Sequence, residues 1–148
     1  MLVRWLVAAV HLAALGVGLG AVWARARALR APLDAAGYRR VFYADSWWGI
    51  AALLWISTGL MRAFGGLEKG TDYYLHNPFF LTKMTLLVAV LALEVWPMAT
   101  LIRWRIARRK GEAVDTSRAP TVALISTTQA AAVVAMVLAA TAMARGLG

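Results

Sequence analysis

Four ionisable side chains lie inside apolar runs or at their ends: His11 within VAAVHLAAL, Arg62, Lys83 and Glu94. A charge or an unsatisfied ring nitrogen is expensive in hydrocarbon, so each marks a site where chemistry or specific packing is expected. His11, Ala14 and Gly18 follow an i, i+3, i+7 spacing, which sets the imidazole beside small residues on one helix face. That face suits a planar ligand or a closely packed helix. Trp48, Trp55 and Arg62 share a face of a second helix, and Lys83, Leu87, Val90 and Glu94 share a face of a third.

An imidazole so placed has two uses. One is an interhelical hydrogen bond, worth ~0.6 kcal/mol on average in membrane proteins. The other is axial ligation of haem iron in a helical core, with Lys83 and Arg62 at a suitable depth for the propionates. Met136 is then a candidate sixth ligand, and Met61 and Met84 lie near helix ends. A metal site other than haem would need clustered His and carboxylate ligands, and that spacing is missing. Glu94 is read as a neutral carboxyl bonded to Gln129, Ser126 or Thr127, because burial disfavours its charge, or as a proton relay. His76, in GTDYYLHNPFF, is read as an interfacial structural residue.

The elements that must hold these groups are apolar helices. Of the 148 residues, 61% are hydrophobic, a composition of integral membrane proteins. Apolar runs fall near residues 5–23, 46–61, 79–102 and 120–144, each long enough to cross ~30 Å of hydrocarbon, the second only just. They lack the alternation of barrel strands, so the expectation is an all-α, integral membrane four-helix bundle forming a single transmembrane domain, residues 1–148. ARA after Trp23 has the look of a signal-peptidase site, but the run is long and Arg25, Arg27 and Arg30 read as an anchoring flank.

Arg25, Arg27, Arg30, Arg39 and Arg40 crowd the first connection, and Arg103, Arg105, Arg108, Arg109, Lys110 and Arg118 the third. The second carries Arg62 and Lys69 against Glu68 and Asp72. The positive-inside rule places the first and third connections in the cytoplasm and both termini on the extracytoplasmic side. Trp23, Trp47, Trp48 and Trp104 then form an inner aromatic belt, and Trp5, Tyr73, Tyr74, Phe79 and Phe80 an outer one. In that topology His11 lies roughly 9 Å and Lys83 roughly 6 Å inside the outer ends of their helices, with Arg62 near the same level. Glu94 is about 12 Å from its inner end, with Gln129 at similar depth.

Local signals complete the outline. Asp45-Ser46 predicts the N-cap of the second helix and Thr116 or Ser117 that of the fourth. Pro97 predicts a kink, and Gly16 and Gly20 form a small-xxx-small pair suited to helix contact. Pro32, Gly37, Gly65, Gly66 and Gly70 mark breaks. No cysteine is present, which excludes disulfides, iron–sulfur clusters and thiolate metal sites. The formal charge of +9 lies between the apolar runs, so the expected partners are anionic membrane lipids and not nucleic acid, with a membrane protein partner or a second copy also open.

Taken together, His11, GYRRVFYADSWWGIAALLWISTGLMR, KGTDYYLHNPFFLTKMTLL and WPMATLIRWR resemble the domain of unknown function 2214 family of bacterial membrane proteins. The resemblance runs through Arg105 and implies four spans in the bacterial inner membrane and no established activity. More distantly, the layout is similar to HemJ-type protoporphyrinogen oxidases and CopD-like membrane proteins. His11 and Lys83 match, by location, the first-helix histidine and third-helix lysine of the HemJ type, which implies haem b. A second histidine after the first helix and one late in the third are missing, with Arg25, Arg27 and Glu94 in those regions. The expectation is haem b held by His11, with Lys83 and Arg62 assisting, for electron transfer or porphyrin redox chemistry. The rival is a non-enzymatic accessory subunit or small transporter without a cofactor.

Overall fold

The computed structural model describes residues 1–66 and 71–147. Glu68, Lys69 and Gly70 of the middle connection lie outside the described residues. Five helices follow in order: α1 (Leu2–Arg30), α2 (Ala35–Phe64), the short α3 (Thr71–His76), α4 (Pro78–Lys110) and α5 (Ala119–Ala144). The four long ones extend beyond their apolar runs, because charged flanking residues continue a helix as readily as apolar ones once the backbone bonds are set. α1, α4 and α5 are long and apolar enough to cross a membrane. α2 has the length, at 30 residues, but Trp47, Trp48, Trp55, Ser57, Thr58 and Arg62 dilute its apolarity.

The caps depart from the local sequence signals. α2 begins eleven residues before the apolar run suggests: Asp34 is its N-cap and accepts the Gly37 N–H at 2.7 Å. Asp45 is therefore inside α2 and free of capping duty. Asn77 caps α4, accepting the N–H groups of Phe79 and Phe80 at 3.0 and 3.1 Å, with Pro78 in the first turn where its missing donor costs nothing. Gly111 ends α4 at φ 71°, a left-handed conformation that favours glycine. Arg118, not Thr116 or Ser117, is the N-cap of α5, and it makes no side-chain cap bond. In that loop the Ser117 N–H on Asp115 holds its carboxyl below the usual range.

Short connections make sequential long helices antiparallel. α1 is the central element, packed on α2 on one side and α5 on the other, and α4 packs on α5. Among the described residues the α2 and α4 backbones do not approach as closely, and long side chains such as Arg105 and Trp104 bridge them. The core follows this order. Val22, Trp48, Trp55, Val90, Val133 and Met136 fill the middle; Leu29, Val41, Leu101, Trp104 and Val122 fill the arginine-rich end; Ala63, Tyr74 and Phe80 close the other. Trp48, Trp104, Tyr74 and Phe80 are thus core residues and not members of an interfacial belt. The Trp48 ring fills the gap that a small residue of α1 leaves: a Cβ on Gly18 would meet Ala51 at 3.4 Å and Trp48 at 3.6 Å. A Cβ on Gly16 or Gly20 would meet nothing within 4 Å, so among the described residues that pair makes no close helix contact. Leucines and valines such as Leu53, Val88, Leu124 and Leu138 point outward instead, an apolar exterior expected in lipid and not in water.

Candidate functional site

Two polar assemblies occupy the interior, one toward each end. Along α1, His11 belongs to the first and Arg25 to the second, roughly 21 Å apart at 1.5 Å per residue.

His11 is buried, with 7% of its surface exposed. Its Nε2 accepts the Trp55 indole N–H at 3.1 Å, and its Nδ1 is 2.9 Å from Thr58 Oγ1. Indole nitrogen can only donate, which assigns the proton to Nδ1 and makes the Thr58 hydroxyl the acceptor. That hydroxyl in turn donates to the Leu54 carbonyl at 2.6 Å. The ring is neutral, and α2 supplies every one of these partners. Gly59, one residue on, makes room: a Cβ there would stand 3.1 Å from His11 Cε1.

His11, Arg62, Lys83 and Met136 line one cavity of about 410 Å³. Trp55 and Phe80 wall it, and Tyr73 and Tyr74 of α3 stand at its rim. A volume of this order is that of a small-molecule site. Among the described residues Lys83 makes no hydrogen bond or ion pair, and the Arg62 guanidinium is close enough to act on its ammonium. Two cations therefore face one recess whose walls are mainly apolar. Met84 lies beside a small extension of that recess between α2 and α4, whereas Met61 faces outward. His76 is exposed and donates Nδ1–H to the Asp72 carbonyl at 2.8 Å, a contact within α3's own turn.

At the arginine-rich end, Arg25 is wholly buried, 0% exposed. It is neither an anchoring flank nor a topology signal. Its five N–H groups make five bonds: Nε to Ser126 Oγ at 2.9 Å, Nη1 to Asp45 Oδ1 at 2.9 Å and Glu94 Oε1 at 2.8 Å, and Nη2 to Glu94 Oε2 and Gln129 Oε1 at 2.9 Å each. Gln129 returns its amide N–H to Glu94 Oε2 at 2.8 Å and to the Val90 carbonyl at 3.1 Å. Arg105 completes the set at 2.8 Å from Asp45 Oδ2. Two arginines and two carboxylates, with Ser126 and Gln129 of α5, thus join all four long helices. Glu94 does meet Gln129, as its depth suggests, but its main partner is a cation, and so the neutral-carboxyl expectation gives way to an ion pair. Ser126 bonds Arg25 and Thr127 takes Arg30 at 2.8 Å, so neither bonds Glu94. The missed signal is periodic: 11, 14, 18, 22, 25 and 29 continue one face of α1, and Arg25 falls on it.

Residues 3–148 match the family model described as predicted membrane protein, DUF2214. The chain belongs to that family. No curated protein and no solved structure matches it. The family description carries membership and a membrane setting; the HemJ-type and CopD-like likeness has no counterpart among these comparisons.

Proposed function

We propose that this DUF2214 protein is a small multi-pass component of the bacterial inner membrane that binds an organic anion in the cavity between His11 and Lys83, as a carrier or accessory subunit. All four long helices, α2 included, cross as a four-helix bundle with both termini extracytoplasmic. The supporting observation for orientation is that Arg27, Arg30, Arg39, Arg40, Arg103, Arg108, Arg109 and Lys110 stay at one end even when buried Arg25 is removed from the count. The cavity then opens in the outer leaflet.

The observation that carries the binding role is the Lys83 ammonium, unpaired among the described residues and set beside Arg62 in a mainly apolar recess. An anionic head beside Lys83 would neutralise an ammonium held in apolar surroundings. An apolar body attached to that head would lie on Trp55, Phe80 and Met136. The ligand class is an amphipathic carboxylate or phosphate of modest size.

Haem b is one member of this class, and its two halves fit differently. Lys83 and Arg62 suit propionates. His11 does not suit iron as arranged, because both ring nitrogens are engaged and the Nε2 lone pair accepts from Trp55. When bound, haem would supply one-electron chemistry, but no step is assigned through it. One feature favours ligation as a second reading: Met136 lines the same cavity as His11. Titration of purified protein with haemin and with iron-free protoporphyrin separates the two. Anion binding predicts that both associate and that His11→Ala keeps them. Iron ligation predicts a Soret shift for haemin alone, lost in His11→Ala.

A further inference from the structure

A recess larger than the His11–Lys83 cavity lies elsewhere. It is an open groove of about 790 Å³ on the outside of the α1–α2 pair, at its arginine-rich half. Its polarity is graded along its length. Val17 lies at one end, small residues including Ala24 form the floor, and Arg27 and Arg40 stand at the other end, one from each helix. Tyr43 and Trp47 form the α2 wall and are exposed. From Val17 to Arg27 the floor runs roughly 15 Å, and among the described residues no acidic side chain lines it.

We propose that this groove is a binding site for one anionic phospholipid of the cytoplasmic leaflet, an occupant independent of the outer cavity's ligand. An acyl chain would lie along the small-residue floor, toward the bilayer centre at Val17. The phosphate would sit between two guanidiniums that can each donate paired hydrogen bonds to its oxygens. Trp47 and Tyr43 would meet the glycerol region, the depth at which amphipathic rings collect. The argument for this occupant is charge complementarity placed at one end of the groove only. A second copy of the chain would bring its own arginine-rich end to the same level and add repulsion there.

The test is native mass spectrometry of the full chain released from detergent after incubation with phosphatidylglycerol or phosphatidylcholine. Wild type is expected to retain one phosphatidylglycerol in preference to phosphatidylcholine. Arg27→Gln/Arg40→Gln should weaken that retention roughly 30-fold, the weight of two interfacial arginines. Arg103→Gln/Arg109→Gln, exposed at the same end, should leave it intact. Ala24→Trp keeps both charges and fills the floor, and it should also abolish retention. Equal retention of the two lipids, undiminished retention in Ala24→Trp, or a lipid-free dimer as the main species would each overturn the assignment.

Discussion

The most demanding residue is Arg25. A guanidinium without water contact is tolerated only when its donors are met, and all five are, by groups from α2, α4 and α5. Removing the cation strands Glu94 in the interior, beside an Asp45 that keeps only Arg105. Arg25→Met should therefore destabilise the detergent-solubilised protein by about 3–5 kcal/mol in an unfolding titration. Arg27→Met, two residues away and exposed, should stay within about 0.5 kcal/mol. Adding Glu94→Leu to Arg25→Met should recover about 1 kcal/mol or more, since the pair is coupled. A neutral Arg25→Met would remove the network from the account. At the same scale, His11 was legible as a residue needing a partner. Which partner was not, because Trp55 and Thr58 are 44 and 47 positions away and look like ordinary core and helix residues.

Among the elements, α1, α4 and α5 were legible because apolarity over a membrane-spanning length is a strong signal. Their ends were not, because the arginine-rich flanks that suggest loops are helical to the last turn. α2 shows the limit best. Its apolar run begins at Ser46, but Asp34 starts the helix a third of its length earlier, and the intervening GYRRVFYAD packs Tyr38, Val41 and Ala44 inward. Arg105 and Arg108 lie over the Phe42 and Tyr38 rings at 4.8 Å each, contacts that hold this amphipathic stretch against α4. The same charges made Arg25 look like one more flank residue. Native cysteine is absent, which makes the crossing of α2 directly measurable. Phe64→Cys should react with an impermeant maleimide added to spheroplasts, and Ala35→Cys only after lysis. Labelling of both positions from the same side would mean that α2 does not cross.

The whole molecule separates two tasks along its long axis. A saturated ion network ties the four long helices together at one end, where the donors of the buried Arg25 are all spent inside the protein. At the other, a cavity holds an ammonium with no hydrogen bond or ion pair among the described residues, beside a guanidinium, with a neutral imidazole braced from α2 as part of the wall. Between α2 and α4 the backbones do not approach closely; side chains bridge them at the arginine-rich end, and small recesses open between them further along. That arrangement was legible only as a shared depth for His11, Arg62 and Lys83; that they line one recess depends on which helix packs on which, and the packing order is set by interior small residues and rings, not by apolarity. The central claim is that Lys83 holds an organic anion. The dissociation constant of iron-free protoporphyrin, read from its own fluorescence with the protein in nanodiscs, tests it most directly. Lys83→Gln should weaken binding roughly tenfold or more, about 1.4 kcal/mol, while Lys83→Arg should stay near wild type. Equal binding by wild type and Lys83→Gln would contradict the assignment.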